Sequence, residues 1–199
     1  MRYDRHVTSS IDLTAFILAG GKSTRMGTDK AFVMLSGRTL LERALDLARS
    51  VCADIKIVGD PGKYGAFAPV VEDIYPGCGP LAGIHAALRS SQSDSNLIVA
   101  VDLPFLSTRF LEFLIARSRT GSMVTVVRTN RGWQPLCAVY RRQFAVSAER
   151  DLRSGQYRID RLFDPATTDV VEESELSKEG FTPDLFHNLN SPEDLPSFG

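Results

Sequence analysis

The chain has 199 residues, of which 24% are charged and 43% hydrophobic, and its net charge is −1. That is the composition of one soluble globular domain, long enough to bury a core without staples and too short for two full domains. The charge balance argues against a dedicated nucleic-acid binder, which carries a basic excess.

Cys52, Cys78 and Cys137 are odd in number and widely spaced. They read as reduced, structural thiols, and the expected location is the cytoplasm. The opening residues 1–13 form a polar lead without the apolar centre of a signal peptide, and no apolar run approaches membrane-spanning length. Residues 1–199 are therefore expected to form a single domain, with no membrane and no nucleic-acid partner.

In chain order, Thr14 to Leu18 is a short apolar run ended by glycines. Leu41, Ala44, Leu45, Ala48 and Val51 then follow helical spacing, and Ile55 to Val58 alternates as a strand. Pro69 to Val71 reads as another short strand. Gly79-Pro80 opens a helix bearing Leu81, Ile84, Ala87 and Leu88, with proline suited to the first turn. Asn96 to Val101 is the most continuous apolar run, which fits a central parallel strand buried on both faces.

Ser107 is a predicted N-cap for a helix carrying Phe110, Leu111, Leu114 and Ile115. Val124 to Val127 and Leu136 to Tyr140 read as strands separated by turn signals at Thr129 to Gly132. Further on, Asp160 to Phe163 reads as helical, Asp169 to Val171 as a short strand and Ser174 to Gly180 as a charged surface stretch. This alternation predicts a three-layer, doubly wound (Rossmann-like) α/β fold with a mostly parallel sheet.

In such folds ligands bind beyond the carboxyl ends of the strands. The segment LAGGKSTRMGTDK, residues 18–30, occupies that position after the first strand. Gly20 and Gly21 let backbone N–H groups approach phosphate oxygens, while Arg25 and Lys30 supply charge. The segment is not a Walker loop, because Phe16 stands where the first glycine is required, and it does not fit GxGxxG. Asp102 follows the most buried strand, so its carboxylate is expected at the ligand edge. With Ser107 available as the cap of the next helix, Asp102 is the best candidate for a magnesium ligand, the alternative being an aspartate that caps the following turn. Gly79 and Gly83 mark a helix start at the same edge, where the alternative is a packing glycine. His6, His85 and His187 share no metal-ligand spacing, and His85 reads as a packed or surface histidine rather than a catalyst.

The loop resembles the signature of the MobA-like nucleotidyltransferases, and within them the molybdenum cofactor guanylyltransferases. Four further blocks follow in the family order: VVEDIYPGCGPLAGIHAAL (70–88), VAVDLPFL (99–106), QPLCAVY (134–140) and NLNSPEDL (188–195). The resemblance implies a fold of the nucleotide-diphospho-sugar transferase type. It implies transfer of GMP from GTP to the terminal phosphate of molybdenum-loaded molybdopterin, with release of pyrophosphate.

The same resemblance implies that the backbone of Leu18, Ala19, Gly20 and Gly21 binds the nucleotide, that Asp73 contacts it and that Asp102 holds Mg2+. Arg25, Lys30 and Asp102 are then catalytic. Gly79 and Gly83 lie near the substrates, and Asn188 and Asn190 near the pterin. GTP and molybdopterin would be the substrates, with transient contact to molybdenum-insertion proteins or a recipient molybdoenzyme. Arg158 and Arg161 read as solvated arginines, with phosphate contact as the alternative. Three alternatives remain at this level: a related cytidylyltransferase, against which LAGG rather than LAAG counts; a nucleotide-sugar pyrophosphorylase, against which the length counts; and a non-catalytic nucleotide-binding module.

Overall fold

The structure is a computed structural model that describes residues 12–20, 29–118 and 121–189. In chain order its elements are β1 (Leu13–Leu18), β2 (Met34–Leu35), β3 (Arg38–Thr39), α1 (Leu40–Arg49), β4 (Asp54–Val58), α2 (Pro61–Tyr64), β5 (Val70–Val71) and α3 (Pro80–Ser90). There follow β6 (Ser95–Ala100), α4 (Thr108–Arg117), β7 (Val124–Thr129), β8 (Gly132–Arg141), α5 (Phe144–Arg153), β9 (Thr168–Glu172) and α6 (Glu173–Lys178).

Among the described residues, seven strands form one sheet in the order β5-β4-β1-β6-β8-β7-β9. The pairings β5/β4, β4/β1, β1/β6 and β7/β9 are parallel, and β8 runs antiparallel to both β6 and β7. The sheet is thus mostly parallel, as the strand-helix alternation requires, with one antiparallel insertion beside its central strand.

Period-two alternation divides the central strands between two cores. Ala15 and Ile17 of β1, with Leu97 and Val99 of β6, pack with Leu41 and Leu45 of α1 and Phe110 and Leu114 of α4. Phe16 and Leu18, with Ile98, pack instead with Leu81 and Ile84 of α3 and Ala148 and Leu152 of α5. Every residue of β6 is buried, which fits the apolar run from Leu97 to Val101 in the sequence. Helices on both faces make the three layers.

Local chemistry sets the helix starts. α1 begins with a capping box in which the Thr39 hydroxyl accepts from the Glu42 N–H while Glu42 accepts from the Thr39 N–H. Ser107 caps α4 as expected, its hydroxyl accepting the Phe110 N–H at 3.3 Å. α3 starts with Pro80 in its first turn, after Gly79 at φ 74°. Only glycine enters that left-handed region without strain.

The structure also differs from the sequence reading. The charged stretch 174–180 is largely helix α6, anchored by the buried Leu176. Helix α5 and the short β2/β3 hairpin are additional elements, the hairpin turning at Ser36-Gly37 with positive φ at both positions. Residues 160–162 form a single 3-10 turn. Among the described residues no helix is long and apolar enough to cross a membrane.

Candidate functional site

The carboxyl ends of β1, β4 and β6 lie side by side, with Leu18 in register with Val58 and with Ala100. As the chain leaves β1, the N–H groups of Ala19 and Gly20 both donate to the Val58 carbonyl, at 3.0 and 3.1 Å. The Val101 N–H donates to the Leu18 carbonyl at 3.1 Å, so β6 continues one residue past its last ladder pair before Asp102 turns away. A cavity of about 230 Å³ opens on this edge.

Of the residues singled out in the sequence, Leu18, Ala19, Gly20, Lys30, Asp73, Gly79, Gly83 and Asp102 all line that one cavity. They come from four separate stretches of chain. Gly21, Arg25 and Asn190 lie outside the described residues. Asn188 is exposed and does not line the cavity, but its neighbour Leu189 donates its N–H to the Asp102 carbonyl at 3.1 Å. The C-terminal segment is thereby tied to the turn that carries Asp102.

Lys30 Nζ stands 3.3 Å from Asp102 Oδ2, with side chains 26% and 18% exposed. A cation and a carboxylate therefore face each other at the mouth of the most buried strand. The Asp73 carboxyl is pushed above its usual range by desolvation in the cavity wall. It lies beside Gly83, where a Cβ would stand 3.7 Å from Asp73 Oδ1, an ordinary contact distance.

Asp29 and Leu136 also line the cavity, and the sequence reading assigned them no role. Asp29 accepts hydrogen bonds from the Tyr64 hydroxyl at 2.8 Å, from Lys63 Nζ at 3.0 Å and from the Ala31 N–H at 3.1 Å. Burial raises its pKa, but these donors outweigh it and hold the carboxyl below the usual range. Its place next to Lys30 in the loop was the available signal. Tyr64 offered none.

Among the described residues no group of three or more His, Cys, Asp or Glu side chains gathers as a metal site. The donor set still fits magnesium, which is held through one or two carboxylates while substrate phosphates and water complete its shell. Asp102 supplies one such hard oxygen donor, beside a cavity with room for phosphates.

His85, Arg158 and Arg161 do not line the cavity. His85 is 1% exposed, its ring edge-on to Tyr75 at 5.3 Å between centroids and its Nε2 3.8 Å from Glu149. Burial holds its pKa below the ordinary value, and the Glu149 charge only partly compensates. Arg158 pairs with Asp160 on the surface, and Arg161 donates to Gln156 at 2.6 Å.

The family model described as the MobA-like NTP transferase domain matches residues 15–170. A molybdenum cofactor guanylyltransferase of Desulfosudis oleivorans is 37% identical over 92% of each chain. One of Vibrio atlanticus is 33% identical over 92% of this chain and 93% of its own. The crystal structure of molybdopterin-guanine dinucleotide biosynthesis protein A from Archaeoglobus fulgidus superposes with a TM-score of 0.78 at 28% identity, covering 92% of this chain and 94% of that one.

Proposed function

The chain belongs to the MobA-like NTP transferase family, and from that premise we propose that it transfers GMP from GTP to the terminal phosphate of molybdenum-loaded molybdopterin. Pyrophosphate leaves and the guanine dinucleotide form of the cofactor results. The observation that carries this reading is the convergence of Leu18 to Gly20, Lys30, Asp73, Gly79, Gly83 and Asp102 on one cavity at the carboxyl edge of the parallel strands.

In the reaction an oxygen of the pterin phosphate attacks the α-phosphorus of GTP. The bond from that phosphorus to the bridging oxygen of the β-phosphate breaks, and its electron pair leaves with pyrophosphate. The nucleophile is ionised near neutral pH, so no general base is needed, and catalysis rests on positioning and charge stabilisation. The Ala19 and Gly20 backbone, held against Val58, gives the nucleotide a fixed edge to lie on. Lys30 offsets charge that builds on the α-phosphate and the leaving group, and Arg25 has the same role. Asp102 is the ligand for Mg2+, which when bound neutralises phosphate charge. Asp73, kept partly desolvated beside Gly83, serves as a hydrogen-bonding group for the base or ribose. Asn188 and Asn190 serve the pterin side, and the acidic turn at Asp102 joins the two halves of the site.

GTP is the preferred nucleotide and the cytoplasm the expected compartment, with transient contact to molybdenum-insertion proteins or a recipient molybdoenzyme. The test is pyrophosphate release by the purified protein with magnesium and molybdenum-loaded molybdopterin, comparing GTP, CTP, ATP and UTP. Release with GTP is expected, and Lys30→Ala should lower kcat by roughly a hundredfold, the typical loss when a preorganised charge is removed. A preference for CTP moves the protein to a cytidylyl reaction, and wild-type turnover in Lys30→Ala removes Lys30 from the mechanism.

A further inference from the structure

We propose that Tyr64 is a positioning residue for nucleotidyl transfer, the fixed point to which the strand leaving the sheet and the turn bearing Lys30 are both tied. The inference rests on the function proposed above and adds a residue to its machinery.

Tyr64 closes α2 and is 2% exposed. Its ring stacks on Phe32 at 5.9 Å between centroids. It also lies over Gly59, where a Cβ would come within 2.6 Å of the ring, so the backbone there carries no side chain that could displace it. The ring direction is thus fixed from two sides, and the hydroxyl is delivered to one place. There it stands 3.2 Å from the Ala19 carbonyl and 2.8 Å from Asp29 Oδ2. Ala19 and Asp29 lie on opposite sides of the loop in sequence, and both line the cavity.

Asp29 passes this anchorage on. Its other oxygen, Oδ1, accepts the Ala31 N–H at 3.1 Å and so caps the 3-10 turn Lys30–Phe32. Lys30 opens that turn and reaches Asp102 at 3.3 Å. A connected path therefore runs from the Tyr64 hydroxyl through Asp29 to the Lys30 ammonium. Lys63 also contacts Asp29, but its side chain is 52% exposed, and an exposed ion pair holds little geometry. Burial of a phenol O–H is unfavourable unless the group is used, and a phenylalanine would fill the same space. The single hydroxyl proton is shared between its two acceptors, with the shorter contact, to Asp29, the stronger.

The test compares Tyr64→Phe with wild type by calorimetric titration of magnesium–GTP and by steady-state pyrophosphate release, with melting temperature as the control for folding. The loss expected in GTP affinity is about fivefold, the worth of one hydrogen bond. The expected loss in kcat is about tenfold, because a displaced charge acts on the transition state. KM for molybdopterin should stay unchanged. In a Lys30→Ala background the same substitution should leave kcat where Lys30→Ala alone puts it, since the group being positioned is gone. Asp29→Ser, whose hydroxyl can still accept the Ala31 N–H but is too short to reach Tyr64, should reproduce the kcat loss if Tyr64→Phe proves too unstable to assay.

Unchanged GTP affinity and kcat in Tyr64→Phe, or an equal kcat loss in the Lys30→Ala background, overturns this inference alone. A wild type that neither binds nor turns over a nucleoside triphosphate overturns the proposed function together with it.

Discussion

Gly83→Ala separates a glycine kept for packing from one kept for a ligand. Gly83 is buried in the first turns of α3, and no positive φ holds it to glycine. A Cβ built there would sit 3.5 Å from Leu18 Cδ2, 3.7 Å from Val58 Cγ1 and 3.7 Å from Asp73 Oδ1, all ordinary contacts. The fold therefore has room for the methyl group. Replacing glycine by alanine inside a helix gains about 1 kcal/mol of backbone entropy and propensity. In a domain of this size that corresponds to a rise of roughly 2–4 °C in melting temperature.

The same methyl would stand in the cavity wall against Asp73, where the nucleotide is proposed to lie. A misplaced methyl group in a snug site costs about tenfold in kcat/KM. Thermal denaturation and steady-state kinetics with varied GTP read the two effects separately. The expected result is a protein that is more stable and less active. A lowered melting temperature would refute the packing argument, and unchanged KM and kcat for GTP would refute the place given to Gly83 in the site.

His85→Leu addresses pH. Burial holds the folded pKa of His85 below its ordinary 6.5, against the charge of Glu149 and with Arg89 and Arg153 adding to the depression. The unfolded chain thus binds the proton first, so stability is complete above 6.5 and is lost as pH falls from there toward the folded pKa. Melting temperatures between pH 8 and 5 should fall less steeply in His85→Leu, and an unchanged slope would assign the loss to other groups. Ser107→Ala removes the cap of α4 and should cost about 1 kcal/mol. A denaturant melt reads that loss, while pyrophosphate release should remain at the wild-type rate because Ser107 lies outside the cavity.

Legibility in the sequence followed the range of the interactions. β1 and β6 could be read because both faces are buried and apolar residues run without a break from Ala15 to Leu18 and from Leu97 to Val101. The cap of α4 could be read because Ser107 and Phe110 are three residues apart. Helix α5 could not, although Phe144, Ala145, Ala148 and Leu152 keep helical spacing, because Gln143 gives it no side-chain cap. α6 hid behind its charges: Glu172 and Glu175 form its capping box, and only Leu176 is buried. Lys30 and Asp102 were legible one by one from strand ends and residue type, but their 3.3 Å approach spans 72 residues. Tyr64 carried no local mark at all, since its partners Ala19 and Asp29 lie 45 and 35 residues away.

Three carboxylates line a cavity proposed to receive a triphosphate, an arrangement that like charges oppose. Their partners resolve the conflict. Asp29 accepts from Tyr64, Lys63 and the Ala31 N–H, and these contacts direct its charge toward holding the turn that presents Lys30. Asp102 faces Lys30, and a metal ion bound there would let the same carboxylate attract phosphate instead of repelling it. Asp73 has its pKa raised by burial and lies against Gly83 of α3, where an acceptor for a base or ribose would sit. On the proposed function one residue type would serve three roles, decided by what each carboxylate touches. By the same reasoning, removing Lys30 leaves Asp102 repelling the incoming phosphates, so the loss in Lys30→Ala should ease when Asp102 is also neutralised only if magnesium is bound elsewhere. If Asp102 is the ligand, the double substitution should be no more active than Lys30→Ala alone.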